Sequence, residues 1–200
     1  HKETTIAYAA HLLSNSQTDE ALSLLLRFNR KNQGVPEVLN LLAGIYLKMD
    51  QLSDAEDMVE EGLFLSPKSE ELLKTAFLIK KKQGDLYAAE HFLQRMLRYD
   101  DDCEEAYFEL AMLASGTDEL EKKINLLEIA SSLNPSNLRT KVELVDAYCL
   151  FLEKNPLTAR NKLIKTSASL KSLCSSIKKS QLPVPLKKRA ERILRKVVVC

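Results

Sequence analysis

The sequence predicts an all-α protein, a right-handed α-solenoid of helical hairpins closed by C-terminal capping helices. Three observations carry that expectation. Ala21, Ala55 and Ala89 recur 34 residues apart, each inside an amphipathic stretch. Pro67 and Pro135 stand 68 residues apart, two such intervals. The chain has 200 residues, 45% of them hydrophobic, with five Gly, six Pro and no Trp, so helix formers dominate it. A fixed period of this length marks stacked two-helix units.

Frames of 34 residues begin at Lys2, Pro36, Glu70, Glu104 and Leu138. Their seventh residues are Tyr8, Leu42, Ala76, Leu110 and Leu144, and their eighth are Ala9, Ala43, Phe77, Ala111 and Val145. In the second frame Val38, Leu39, Leu42, Ile45 and Tyr46 recur at steps of three and four, which places them on one helical face. Ser53 and Glu56 form a capping-box pattern for the second helix, whose apolar face continues through Ala55, Val59, Gly62 and Leu63. Ser66-Pro67, Asn134-Pro135 and Asn155-Pro156 each set a capping side chain before a proline, a pattern that predicts helix starts at the prolines. Ala43, Ala55, Gly62, Ala89, Ala111 and Ala130 are expected at crossings, where helices approach closely only if side chains are small.

These residues resemble the tetratricopeptide repeat family. The likeness is clearest at Leu42, Ala43, Tyr46, Ala55, Leu65 and Pro67, then at Gly84, Asp85, Ala89, Leu93 and Leu97. Tyr107, Leu110, Ala111, Leu127, Ala130, Leu133 and Pro135 extend it. Lys80, Lys123 and Phe28 depart from the family's pattern. The expected organisation is four hairpins over 2–137, a degenerate fifth over 138–180 with a long second helix, and a basic capping helix over 181–200. Pro183 and Pro185 are expected to break the chain before that last helix, whose inward face would be Leu186, Ala190, Ile193, Leu194 and Val197.

The resemblance implies a non-enzymatic scaffold or adaptor that binds a peptide or helix of a partner protein in a groove lined by the first helices. It places Asn40, Leu47, Lys74, Leu78, Lys81, Phe108, Met112 and Arg139 along that groove. Phe108 and Met112, one turn apart, suit an apolar or amphipathic segment, or else serve as ordinary packing residues. The places where chaperone cofactors of the family clamp a terminal carboxylate hold Ile6, Ala10, Leu41, Glu71 and Thr75 here, so that specificity is not expected.

Charge is divided unevenly along the chain. From Arg160 to Cys200 there are twelve Lys or Arg and one acid, Glu191, which leaves 17 basic and 27 acidic residues before Arg160. Lys187, Lys188, Arg189, Arg192, Arg195 and Lys196 form a basic surface that suits the chain's own acidic body or an acidic protein partner. The alternative is nucleic acid or an anionic membrane surface, but no aromatic residue follows Phe151 to stack a base.

No catalytic motif, phosphate-cradling loop or metal-ligand spacing is present, so no enzymatic activity, cofactor or metal is expected. Asp100, Asp101 and Asp102 lack the alternating ligands of a calcium loop and are expected in a solvated turn. Cys103, Cys149, Cys174 and Cys200 are widely spaced, which suits free thiols and an intracellular, cytoplasmic setting.

Overall fold

A computed structural model describes residues 2–114, 119–154, 168–169, 171–177 and 182–198. The chain forms two compact units, His1–Asp101 and Asp102–Cys200. The first contains α1 (Lys2–Ser14), α2 (Thr18–Lys31), α3 (Pro36–Lys48), α4 (Leu52–Leu65), α5 (Glu70–Gln83) and α6 (Leu86–Tyr99). The second contains α7 (Glu104–Leu113), α8 (Leu120–Leu133), α9 (Leu138–Lys154) and α10 (Val184–Val198). Backbone at 171–176 is also helical.

The first helices start at residues 2, 36, 70, 104 and 138, and their partners α2, α4, α6 and α8 at 18, 52, 86 and 120. The 34-residue frame is therefore kept by both members of each hairpin. Ala9, Ala43, Phe77, Ala111 and Val145, the eighth residue of every frame, are all buried. In the first unit α2 packs on α3, α4 on α5, and α3 on α5. Leu12, Leu25, Val38 and Leu42 fill one layer, and Ala43, Val59, Leu72 and Ile79 fill the next. Gly62 marks the closest approach: a Cβ there would stand 2.8 Å from a buried methyl of Leu72.

Each hairpin of the first unit turns on one left-handed residue. Ser16, Asp50 and Gly84 have φ of 62°, 64° and 82°. The amides that follow them donate back to the preceding helix, Gln17 to Leu12 and Gln51 to Tyr46 at 2.9 Å and Asp85 to Lys80 at 3.0 Å. This is the six-to-one closure that ends a helix at a left-handed residue.

Three local expectations are corrected. Ser53 and Glu56 make no capping box, because helix α4 already begins at Leu52 behind Gln51. The Glu56 carboxylate instead accepts from Lys80 and Gln83 of α5, and that pairing holds it below the ordinary carboxylate range. Pro67 and Pro135 do not open helices. They sit in turns closed by Ser69 N–H to Ser66 O at 3.2 Å and Asn137 N–H to Asn134 O at 3.1 Å, where proline's fixed φ suits the second turn position. The caps fall two or three residues on: Ser69 Oγ accepts from the Leu72 amide, and Asn137 Oδ1 from the amides of Arg139 and Thr140. Pro185 lies inside α10, in its first turn, where the missing N–H has no helical partner to lose. Asn155-Pro156, most of the long helix expected to run to about residue 180, and the Ile193, Leu194 and Val197 side chains lie outside the described residues.

The turns generate a paired prediction. Gly84→Ala should lower the unfolding free energy by about 1 kcal/mol, and Ser16→Gly should raise it by up to about 1 kcal/mol, because only glycine adopts the left-handed region without a Cβ penalty. Nothing lies within 4 Å of a Cβ at Gly84, so crowding does not confuse the measurement. Urea denaturation monitored by circular dichroism reads both.

Candidate partner-binding surface

A polar seam runs between neighbouring first helices of the first unit. Lys2 Nζ lies 2.8 Å from Glu37 Oε1, Thr75 donates its hydroxyl to Asn40 Oδ1 at 2.7 Å, and Lys82 Nζ donates to the Leu47 carbonyl at 3.1 Å. Each pair is separated by 35 residues, one frame plus one. In the second unit Glu104 Oε1 similarly accepts from Thr140 at 2.7 Å and from Asn137 at 2.9 Å.

Around the seam of the first unit, Asn40, Leu47 and Lys74 are half-buried, and Lys81 is exposed with its ammonium 5.2 Å from the centre of the Phe77 ring. Leu78, between Lys74 and Lys81 on α5, is 39% exposed. A cleft of about 560 Å³ opens beside the starts of α3 and α5. Ile6, Pro36 and Leu41 give it apolar walls, and Lys2, Glu37, Asn40, Ser66, Ser69 and Glu71 give it polar ones. Lys2 holds the Glu37 carboxyl below its ordinary range through their hydrogen bond.

In the second unit Phe108 is packed, while Met112 is partly open. Phe108 is buried at 4% in a cluster with Ala111, Leu127, Leu144 and Tyr148. The Arg139 guanidinium covers its ring at 4.4 Å, and Met112 is half-buried against the same cluster. Arg139 itself is exposed, 3.9 Å from the Glu109 carboxylate.

Part of the basic surface is engaged within the second unit. Arg189 of α10 grips Glu153 of α9 with two hydrogen bonds, at 3.0 and 2.6 Å, and Asp146 with a third at 2.7 Å. Arg192 adds a bond to Glu153 at 3.1 Å but stays largely exposed. Arg189 is thus a docking residue, and its hydrogen bonds hold the Glu153 carboxyl below its ordinary range. Lys187 is half-buried, while Lys188 and Arg195 are exposed. The Lys196 side chain lies outside the described residues. Leu186 and Ala190 are buried beneath α10 together with Cys149, whose thiol burial pushes up to about 12. Such a thiol stays protonated and unreactive.

Sequence reasoning did not single out Phe64, 86% exposed, and Tyr87, 87% exposed, the two most exposed large apolar side chains among the described residues. Both lie on second helices, off the apolar face; their isolation from that period is the signal that marks them. Among the described residues no helix is long and apolar enough to cross a membrane, and no group of three His, Cys, Asp or Glu is placed to hold a metal. The Asp100, Asp101 and Asp102 triplet lies in the turn between α6 and α7 and is exposed.

Two predictions arise from the second unit. Phe108→Ala should cost about 3–5 kcal/mol of unfolding free energy, the range for truncating a buried aromatic. Glu153 has a lowered folded pKa, so its pairs stabilise the fold above the unfolded carboxylate value near pH 4.3 and are lost as pH falls through the lowered one. The stability gap between the wild-type chain and Glu153→Gln, measured by urea titration, should be present at neutral pH and shrink on acidification.

No family model matches the sequence, and no curated protein matches it. Solved structures do. A MamA chain from Desulfovibrio magneticus RS-1, running from position 41 to its end, is 18% identical, with a TM-score of 0.66 over 87% of this chain and 95% of that one. YrrB, described as a TPR protein with an unusual peptide-binding site, is 16% identical, with a TM-score of 0.66 over 94% and 90%. TTC0263, a thermophilic TPR protein of Thermus thermophilus, is 16% identical, with a TM-score of 0.60 over 98% and 100%. The likeness shows the fold: the chain has the α-solenoid architecture of tetratricopeptide repeat proteins.

Proposed function

We propose that this chain is a non-enzymatic, cytoplasmic scaffold that holds a peptide or helix of a partner protein against the face formed by its first helices. One observation carries the reading. Leu78 is an exposed aliphatic side chain on α5. Lys74 and Lys81 stand four residues before and three after it, on the same helical face. Asn40 and Leu47 lie half-buried on the neighbouring α3, whose contact with α5 makes one surface of the two helices. An apolar anchor ringed by polar groups is the usual composition of a peptide-recognition surface. The peptide-binding site in YrrB's description is in keeping with it. In the second unit Met112 and Arg139 would add contacts, with Phe108 acting as the support on which Arg139 rests. The proposed organisation is four hairpins over 2–137, a degenerate fifth over 138–180 and a basic capping segment over 181–200.

The basic edge is a secondary reading. Lys188, Arg192 and Arg195 of α10 are exposed and would meet an acidic protein surface. Nucleic acid or an anionic membrane is less well supported, because Arg189 is spent on α9 and Leu186 and Ala190 are turned into the core.

Leu78→Asp should reduce partner capture by the immobilised full chain about tenfold or more while changing the unfolding free energy by less than about 1 kcal/mol. Phe64→Asp, on the exposed side of α4, should leave capture unchanged. The opposite pattern would move the binding face to the second helices.

A further inference from the structure

Lys74 and Lys81 flank Leu78, whereas the cleft beside the starts of α3 and α5 holds two carboxylates. Glu37 and Glu71 are the second residues of α3 and α5, one frame apart. Glu37 already holds an ammonium: Lys2, the first residue of α1, places its Nζ 2.8 Å from Oε1. The residue that stands to Glu71 as Lys2 stands to Glu37 is Pro36, the first residue of α3. Proline brings no charge. Glu71 accepts the Ser69 hydroxyl on Oε2 at 3.0 Å, which uses one of roughly four acceptor positions of a carboxylate. Pro36 and Glu71 both line the cleft of about 560 Å³, which falls within the roughly 300–1,000 Å³ of ordinary ligand sites.

We infer that this cleft takes a Lys or Arg side chain of the bound partner segment, seated on Glu71 over Pro36 as Lys2 is seated on Glu37. The inference rests on the first-helix reading and deepens it. Ile6, Pro36 and Leu41 provide the apolar wall along which the methylene stem of such a side chain lies while its charged head meets the carboxylate. Glu71 stands in the first turn of α5, at the positive end of the helix dipole. With Lys2 paired to Glu37, the charge left over in the cleft is the single negative one of Glu71. A cation therefore fits and an acidic segment is repelled. Adjacent packed helices lie about 8–10 Å apart, the span of about three residues of an extended polyproline II chain, whose side chains return to the same face every third residue. An extended segment thus brings one residue in three to successive first helices, with apolar residues between.

The test uses the full chain and two labelled nonapeptides, three repeats of Lys-Leu-Ser and three of Glu-Leu-Ser, read by fluorescence anisotropy at low and high salt. The basic peptide should bind, weaken with salt, and lose about tenfold in affinity in Glu71→Gln, the loss of one charge-assisted contact. Pro36→Lys should lose as much although Glu71 is intact, because the new ammonium takes the seat from within. Circular dichroism melting checks that both variants fold, and Glu71→Gln stands alone if Pro36→Lys does not. Absence of binding by the basic peptide, equal binding of the acidic one, or wild-type affinity in Glu71→Gln overturns the inference. If it falls while Leu78→Asp still abolishes partner capture, the first-helix reading survives without the cationic seat. If Glu71→Gln releases the peptide while Leu78→Asp leaves capture intact, the seat is real and Leu78 is not the anchor of the first-helix face.

Discussion

A hairpin of two helices, each about four turns long, has to reverse its chain in two or three residues without leaving amides unpaired in the bend. In the first unit a residue with positive φ does this at 16, 50 and 84, and the following amide closes back on the helix behind it. Two of those three residues are not glycine, so the local conformation costs something on the order of 1 kcal/mol at each, offset by burial along the paired helices. Because the bend falls at the same place in each frame, the small residues after it arrive at the same crossing. Ala21, Ala55 and Ala89 are each fully buried. Repetition of one turn thus fixes the hairpins, and the hairpins align their first helices into the seam from Lys2 to Lys82.

Much of this was legible because burial in a helical repeat is periodic. The frame boundaries and the eighth position of every frame could be taken from spacing alone. The caps could not, since Ser66-Pro67 and Asn134-Pro135 have the composition of a helix start and of a turn alike; only the chain's path separates the two. Ser16 and Asp50 gave no sign of left-handed backbone, whereas Gly84 did. Glu56 fitted a local capping box, yet its partner is Lys80, 24 residues on. Lys80 had stood out as a departure from the repeat pattern, and the ion pair explains its presence there.

The place of each first-helix residue in its frame was legible, and its exposure less so. A first helix touches neighbours on two sides, so the period that marks a core residue also marks one at the lip of the groove. Leu78 and Phe108 share that ambiguity: one is open, and the other is buried under Arg139, which comes from the next first helix. The basic C-terminal face was visible as a charge run, but the acids that dock it, Asp146 and Glu153, lie 43 and 36 residues before Arg189. What emerges is a charge division with structural content: part of the basic segment holds α10 in place, and the exposed remainder is a modest edge. The binding function proposed for the chain accordingly rests on the first helices.

The most direct measurement is photocrosslinking from the full chain with a benzophenone amino acid placed singly at position 78 on α5, 64 on α4 or 87 on α6, followed by mapping of the adducts. The account predicts that position 78 crosslinks to a discrete peptide of a partner protein and that positions 64 and 87 do not. Adducts confined to 64 or 87, with none at 78, would contradict it.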